Sequence, residues 1–276
     1  MSASETSPLD DPTADPFAIA ALAAEQLADA TGVARHDIAL TLGSGWGKAA
    51  DLLGEEVATV QAEQIEGFTA SGVVGHSGTL RSFRLPNGKH ALVIGARTHF
   101  YEGRGVRRVV HSVRTAAAGA STMVLTNGAG GIKRSWTPGT PVLISDHINL
   151  TAASPLEGPT FVDLTDLYSA RLRAVAREVE PGLDDGVYVQ FRGPHYETPA
   201  EVRMAETLGG SIVGMSTALE AIAARQAHME VLGMSLITNL AAGIQSEPLS
   251  HEEVLAAGRA AEGRLAALLS RIVVRL

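Results

Sequence analysis

The sequence predicts one α/β domain, in which a sheet of buried strands is covered by helices. Short apolar runs of β type alternate with stretches that carry apolar residues at helical spacing, as in α/β folds. Polar clusters follow several strands, at the edge of the sheet where open α/β folds bind ligands. The chain has 276 residues and 45% hydrophobic content, enough for one large core. We therefore assign residues 16–276 to a single domain and expect residues 1–15 to be a disordered acidic tail.

The composition excludes several classes of protein. A net charge of -8, without a long Lys/Arg block, argues against a surface for nucleic acid or anionic lipid. The chain has no cysteine, and its nine histidines show no ligand spacing, so no metal site is predicted. The N-terminus lacks the regions of a secretory signal, and no apolar run reaches the roughly 18 residues of a membrane span. We expect a cytoplasmic enzyme.

The first predicted elements are a helix over residues 16–30 and a buried strand over residues 38–42. The apolar face of this helix is predicted to hold Phe17, Ala20, Ala21, Ala24, Leu27 and Ala28. The strand runs into the turn Gly43-Ser-Gly-Trp-Gly47, which can offer backbone N–H groups and the Ser44 hydroxyl to an anion. The turn matches neither the dinucleotide nor the Walker fingerprint, so an empty tight turn is at least as good an interpretation.

A predicted hairpin over residues 80–95 leads into a cluster of polar side chains. It follows a Gly/Ser-rich loop that contains His76, and its turn is Pro86-Asn87-Gly88. The next segment, Arg97-Thr-His-Phe-Tyr-Glu-Gly103, places Arg97, His99 and Tyr101 on one face if it stays extended. Donors on one face at the carboxyl end of a strand suit a phosphate and a neighbouring sugar hydroxyl.

The middle of the chain continues the alternation. A helix is predicted over residues 105–119, then a strand over 123–127 that ends in a glycine turn at 128–131 with exposed amides. A strand over 141–145 is followed by a long loop to residue 163, which carries Phe161 and is a candidate lid or subunit contact. A helix is predicted over residues 166–178.

The segment Gly193-Pro-His-Tyr-Glu-Thr-Pro199 joins a β-like run to a helix over residues 199–208. Thr198 and Pro199 are typical of a helix start. Glu197, beside the ring of Tyr196, can accept hydrogen bonds from a flat ligand stacked on that ring. For this segment alone, the better explanation of Glu197 is an acid favoured by the helix dipole, and the rest of the sequence reverses that preference.

The C-terminal part supplies a further anion site and the last strand. A strand from residue 212 meets a helix at Ser216, where first-turn amides can bind an anion. Glu220 is explained by a capping box with Thr217, without a role in catalysis. A buried strand over 231–239 precedes a capping box at 250–253, where the C-terminal helix begins beside His251.

Taken together, these motifs resemble the trimeric class of purine nucleoside phosphorylases over nearly the whole chain after the tail. The matching motifs are Gly43-Ser-Gly, Gly75-His-Ser-Gly, Arg97-Thr-His-Phe-Tyr-Glu-Gly, Thr126-Asn, Asp146-His-Ile-Asn-Leu, Gly193-Pro-His-Tyr-Glu-Thr, Gly214-Met-Ser-Thr, Thr238-Asn and His251-Glu-Glu-Val-Leu-Ala-Ala-Gly. The resemblance implies a central mixed twisted sheet flanked by helices. It also implies a homotrimer that needs no cofactor, with inorganic phosphate as co-substrate in purine salvage.

The resemblance also assigns residues to three subsites. Phosphate would be bound by Ser44, Arg97, His99, the Gly128 amide and Ser216, with His76 closing over it. Ribose would be bound by Tyr101, Met215 and His251, with Phe161 of a neighbouring subunit as cover. The purine would be bound by Tyr196, Glu197, Thr238 and Asn239. Two positions depart from the family, because many relatives have alanine where Gly128 stands and animal enzymes have lysine where Leu240 stands.

The chemistry of phosphorolysis fits these residues. Phosphate attacks one face of C1′ while the purine leaves from the other, so positioning and electrostatics dominate. The residues assigned to catalysis are His99 at the phosphate, Asn239 at purine N7 and Glu197, which can accept from N1–H of a 6-oxopurine. Adenine has an acceptor at N1, and such a mismatch is costly. We therefore expect inosine and guanosine, or their 2′-deoxy forms, ahead of adenosine.

Three other functions are weighed against this one. A methylthioadenosine phosphorylase would need an acid in place of Asn239 and an apolar group in place of His251. A serine hydrolase using Ser216 is suggested by Gly214-Met-Ser-Thr-Ala218, which lacks the final glycine of G-x-S-x-G. A nucleoside-binding protein without turnover would leave the phosphate-binding groups unexplained.

Overall fold

A nine-stranded mixed sheet runs through the computed structural model, which describes residues 7–69, 78–245 and 248–276. Its strands are β1 Ile38–Thr41, β2 Glu55–Gln61, β3 Thr79–Arg84, β4 His90–Ile94, β5 Thr122–Gly131, β6 Pro141–Asn149, β7 Asp184–Gln190, β8 Ile212–Gly214 and β9 Glu230–Leu240. The α-helices of this part of the chain are α1 Pro16–Thr31, α2 Val106–Ala116, α3 Ala170–Val179, α4 Pro199–Thr207, α5 Ala218–Gln226 and α6 His251–Val273. These elements confirm the α/β class and the mixed sheet.

Part of the sheet closes on itself. The strand order is β2-β3-β4-β1-β5-β8-β7-β6-β9, and β9 also pairs with β5 in parallel. Strands β5, β8, β7, β6 and β9 therefore form a ring, while β2, β3, β4 and β1 extend from it. The predicted hairpin is β3 and β4, which pair antiparallel. This arrangement brings the carboxyl ends of β5 and β9 to one side of the ring, next to β8.

Apolar side chains fill both faces of the sheet. Along β5, Met123 and Leu125 join the cluster under α1, α2 and α5, and Val124 joins the cluster under α3 and α6. This alternation follows from the two-residue period of a strand. Both sides of the central strands are thus covered, which explains why they read as continuous apolar runs. Each fully buried Val or Leu contributes about 1.5–3 kcal/mol.

The N-terminal segment differs from the predicted disordered tail. Residues 7–15 are ordered against α2: Leu9 is buried, Asp10 pairs with the Arg108 guanidinium, and Arg107 donates to the Ala14 carbonyl at 3.0 Å. Arginines on α2 offset the acidic character of the segment, which composition alone does not reveal. Residues 1–6 lie outside the described residues.

Several element boundaries and one helix face also differ. In α1, Phe17 is 47% exposed and Ala21 is exposed, while Ala23 is fully buried. The predicted turn at residues 128–131 is instead the end of β5, because Gly130 and Gly131 pair with both β8 and β9. Helix α3 begins at Ala170, later than predicted, since Tyr168 forms an isolated bridge with β9.

No helix in the described ranges, residues 7–69, 78–245 and 248–276, is long and apolar enough to cross a membrane. Within the same ranges, no group of His, Asp and Glu side chains has the arrangement of a metal site.

Candidate active site

A cavity of about 220 Å³ lies where β5, β8 and β9 end. The turn after β1 and the segment after β4 line one part of it, and the loop before α4 and the turn between β8 and α5 line another. The residues assigned above that line this cavity are Ser44, Arg97, His99, Tyr101, Gly128, Tyr196, Glu197, Met215, Ser216, Thr238 and Asn239. Polar clusters that are distant in the chain are thus brought to one site.

Arg97 is buried and is held with one nitrogen uncommitted. Its Nε donates to Glu220 Oε1 at 3.0 Å, and its Nη1 donates to the Thr126 carbonyl at 2.8 Å. Nη2 is buried without a hydrogen-bond partner among the described residues. A buried donor without an acceptor is unfavourable, so this nitrogen is suited to an anionic ligand in the cavity.

Glu220 does more than the local capping box predicted. Its Oε2 accepts from the Thr217 amide at 3.0 Å, as that motif requires. Its other oxygen pairs with Arg97, and both side chains are 2% exposed. Glu220 therefore fixes the guanidinium and the start of α5 at the same time. Removing one partner of such a buried pair leaves an uncompensated charge.

The prediction that the backbone amides at the start of α5 bind an anion is wrong, because these amides already donate to groups of the protein. The Ser216 amide donates to the Tyr188 hydroxyl at 3.3 Å, and the Ala218 amide donates to Gln190 Oε1 at 2.7 Å. The Thr217 amide is bound by Glu220. What Ser216 offers the cavity is its hydroxyl, which lies 3.1 Å from Thr217 Oγ1. Burial raises the pKa of Tyr188 to about 12, so this hydroxyl stays neutral.

His99 and Tyr101 line the cavity, although their segment is not extended. A short 3-10 helix, Phe100–Glu102, follows His99, whose backbone amide donates to Glu102 Oε1 at 2.6 Å. The two rings stack with centroids 4.8 Å apart. Their proximity therefore comes from a turn and from stacking, and not from the two-residue period of a strand. Burial raises the pKa of Tyr101 above its ordinary value.

At two glycines in or beside the cavity, the backbone lies too close to neighbouring atoms to leave room for a side chain. A Cβ on Gly43 would lie 2.6 Å from the Thr126 carbonyl oxygen, so no side chain fits there. Gly193 has φ +70° and contacts Met215, where a Cβ would lie 2.4 Å from the sulfur. Glycine at 193 lets the loop that carries Glu197 reach Met215.

Glu197 is the buried carboxylate of the cavity. Its exposed fraction is 7%, and its Oε1 has no hydrogen-bond partner among the described residues. Burial raises the pKa of this carboxyl above its ordinary value. Glu201, not Glu197, accepts from the Thr198 amide at the start of α4, at 2.7 Å. The side-chain capping contact at the start of α4 is therefore made by Glu201 and not by Glu197.

The amide of Asn239 is oriented by its neighbours. Thr238 Oγ1 donates to Asn239 Oδ1 at 2.8 Å, which fixes the amide oxygen. Nδ2 donates one proton to the Leu240 carbonyl at 3.0 Å. An amide nitrogen carries two protons, so one remains for a ligand.

Three assigned residues are not placed in the cavity. Phe161 is 95% exposed and lies outside it. His76 and the side chain of His251 lie outside the described residues. Two residues that received no ligand role are part of the arrangement: Glu220 holds Arg97, and Asn127 lines the cavity. The Thr126-Asn127 motif pointed to the second, whereas local sequence gave no signal for the first.

The arrangement of Ser216 does not favour a hydrolase. Its Oγ bonds to Thr217 Oγ1, a hydroxyl that cannot act as the base of a catalytic triad. The cavity also contains the Arg97 guanidinium, for which acyl transfer gives no reason.

Comparison with known proteins adds independent evidence. A model of the phosphorylase superfamily matches residues 37–274. A purine nucleoside phosphorylase from a Cellulomonas species is 64% identical, over 98% of this chain and 98% of the relative. The Schistosoma mansoni purine nucleoside phosphorylase in complex with inosine has a TM-score of 0.84 at 32% identity and covers 92% of this chain and 95% of its own. The same enzyme in complex with adenosine has a TM-score of 0.84 at 33% identity, with 92% and 95% coverage.

Proposed function

Because this chain belongs to the phosphorylase superfamily and acts in the phosphorolysis of purine nucleosides, we propose that its cavity binds phosphate and a purine nucleoside together. Phosphate then attacks C1′, the bond from C1′ to the purine nitrogen breaks, and the products are the free purine and pentose 1-phosphate. Phosphate brings one hydroxyl proton and the leaving purine takes up one proton, so the overall reaction balances without another reactant.

One observation carries this proposal. A single cavity contains a buried guanidinium nitrogen of Arg97 and a buried carboxylate oxygen of Glu197, neither of which has a partner among the described residues. The first needs an acceptor such as a phosphate oxygen. The second needs a donor such as the N1–H of a 6-oxopurine. A 6-oxopurine nucleoside with phosphate satisfies both, whereas a simple ester has no N–H or O–H to donate to Glu197.

The proposed roles follow from this pairing. The phosphate subsite consists of Ser44, Arg97, His99, the Gly128 amide and Ser216, with His76 closing over the anion. The ribose subsite consists of Tyr101, Met215 and His251, with Phe161 as cover. The base subsite consists of Tyr196, Glu197, Thr238 and Asn239.

Catalysis would arise from positioning and from charge stabilisation at the purine. As the C–N bond breaks, negative charge moves onto the ring, and the hydrogen bond from Asn239 Nδ2 to N7 strengthens. The Thr238 hydroxyl supports this role, because it holds Asn239 Oδ1 and so presents the nitrogen. Such a bond, stronger in the transition state than in the ground state, lowers the barrier.

Base preference would be set by Glu197. As a carboxylate it accepts from N1–H of hypoxanthine or guanine, and it meets a lone pair at N1 of adenine. We therefore propose inosine and guanosine, or their 2′-deoxy forms, as preferred substrates.

The remaining parts of the proposal concern the assembly and its setting. An almost fully exposed aromatic ring at Phe161 is suited to a neighbouring subunit, so we place it over the ribose of the next protomer in a homotrimer. Inorganic phosphate is the co-substrate, with no further cofactor. The enzyme is placed in the cytoplasm, in purine salvage.

The test is purine release from inosine, with and without phosphate, beside adenosine. We expect hypoxanthine and ribose 1-phosphate only when phosphate is present, and much slower release from adenosine. Release that ignores phosphate would contradict the phosphate subsite. Equal efficiency on adenosine would contradict the role of Glu197.

A further inference from the structure

Asn127 lines the cavity, yet none of the roles above includes it. It lies on β5, directly before Gly128, and its exposed fraction is 2%. Its Nδ2 donates to Thr217 Oγ1 at 2.9 Å, and its backbone carbonyl accepts from Trp46 Nε1 at 3.0 Å. Through Thr217 Oγ1 it is linked to the hydroxyl of Ser216. The side chain is therefore held rigidly beside two proposed phosphate ligands.

The amide oxygen of Asn127 is the unusual feature. Oδ1 is buried and accepts no hydrogen bond from the residues that the structure describes. An amide oxygen can only accept, and a buried acceptor without a donor is unfavourable. Two of its neighbours in the phosphate subsite, the Arg97 guanidinium and the Gly128 amide, can only donate. The subsite thus combines these donors with an amide oxygen that can only accept and that needs an O–H proton from the ligand.

Inorganic phosphate can supply this proton. Near neutral pH it still carries a P–OH group, as does arsenate with its As–OH group. Sulfate and monofluorophosphate are tetrahedral dianions of similar size, but they carry no proton under these conditions. Against either of them, the lone pairs of Asn127 Oδ1 would face an oxygen or fluorine lone pair.

We propose that Asn127 Oδ1 accepts a hydrogen bond from the hydroxyl group of phosphate and thereby makes the anion subsite selective for protonated tetrahedral oxyanions. This inference rests on the proposed function, because that function places phosphate beside Gly128 and Ser216. Binding the hydroxyl at Asn127 leaves the charged oxygens of phosphate for Arg97 and for attack on C1′. Asn127 thus orients the nucleophile as well as selecting it.

The experiment compares four anions on the purified full-length protein. Phosphate, arsenate, sulfate and monofluorophosphate are titrated by calorimetry in the absence of nucleoside, and phosphate-dependent inosine cleavage is measured on the same samples. We expect phosphate and arsenate to bind at least about ten-fold more tightly than the two anions without a proton, a factor that equals about 1.4 kcal/mol.

Three variants separate selection from a general structural role. In Asn127→Ala, we expect the preference for protonated anions to fall at least several-fold. Asn127→Asp retains an acceptor of the same shape and should reject sulfate and monofluorophosphate at least as strongly as the unaltered protein. The matched control is Ser235→Ala, which removes a buried polar atom from the register partner of Asn127 on β9 and should keep the full preference.

Two results would overturn the inference. One is an unaltered protein that binds all four anions within about three-fold, which corresponds to less than about 1 kcal/mol. The other is a loss in Asn127→Ala that is the same for every anion. Failure of the proposed function looks different, since the unaltered protein would then release no hypoxanthine in response to phosphate.

Discussion

Glu197 and Glu201 lie at the same helix start but have different tasks, and this difference gives the first prediction. Glu197→Gln removes the charge that is proposed to accept from purine N1–H. We expect kcat/KM for inosine to fall by about 10- to 100-fold, since a hydrogen bond to a charged group contributes roughly 1.5–3 kcal/mol. Steady-state kinetics at saturating phosphate measure this.

The control for that variant is Glu201→Gln, which keeps an acceptor for the Thr198 amide and lies outside the cavity. It should retain inosine turnover. Glu220 is unsuitable as a control, because its carboxylate holds Arg97. Equal losses in Glu197→Gln and Glu201→Gln would mean that the base subsite is misplaced.

The raised pKa of Glu197 predicts a pH-dependent choice of base. Burial raises this pKa, so the carboxyl takes up its proton at a higher pH than an ordinary glutamate. The protonated group is a donor and can bind N1 of adenine. The ratio of adenosine to inosine kcat/KM should therefore rise as the pH falls. In Glu197→Gln this ratio should be independent of pH; a ratio in the unaltered enzyme that stays constant or falls would refute the assignment.

At the scale of single residues, local sequence patterns predicted contacts between residues that are close in the chain. They did not predict contacts between residues that are distant in the chain. The capping contact between Glu220 and Thr217 spans three residues, and the sequence predicted it. The pair between Glu220 and Arg97 joins residues 123 apart in the chain. No local pattern contains such a contact, because only the folded sheet brings the two elements together.

At the scale of elements, the apolar pattern of the sequence predicted where the strands lie. It did not predict where each strand ends. The glycines after Asn127 have turn composition, yet Gly130 and Gly131 pair with β8 and β9. Pairing on both sides overrides their weak strand preference. The disordered tail was predicted for a similar reason, since composition does not reveal that α2 offers arginines to residues 7–15.

The packing of this N-terminal segment gives a prediction for stability. Removing residues 1–14 deletes the buried Leu9 and leaves Arg108 without Asp10. We expect the free energy of unfolding to fall by about 2–4 kcal/mol, mostly from the lost burial of one leucine and to a smaller extent, up to about 1 kcal/mol, from an ion pair whose Asp10 side chain is 43% exposed. Urea denaturation measures it. A chain that lacks only residues 1–6 keeps both contacts and should match the full chain; equal losses in the two would show that Leu9 and Asp10 contribute nothing.

At the scale of the whole molecule, Phe161 lies outside the cavity of its own protomer. The cavity has no aromatic cover from Phe161, whose ring is 95% exposed at a loop on the same chain. The sequence predicted this loop as a lid or a subunit contact because of its length. A single protomer cannot distinguish the two, since a contact between subunits is a property of the assembly.

Mixing two impaired variants decides between them. Phe161→Ala should raise the KM for inosine, and Arg97→Ala should lose phosphate binding. Joint refolding exchanges subunits between the two variants. If Phe161 covers the site of a neighbouring protomer, some sites in the mixed trimers then combine an intact Arg97 with an intact Phe161 from the neighbour. Activity at low inosine should then exceed the sum of the separate variants, as measured after partial denaturation and joint refolding. If Phe161 covers its own cavity, every site carries one defect, and the mixture gives only that sum.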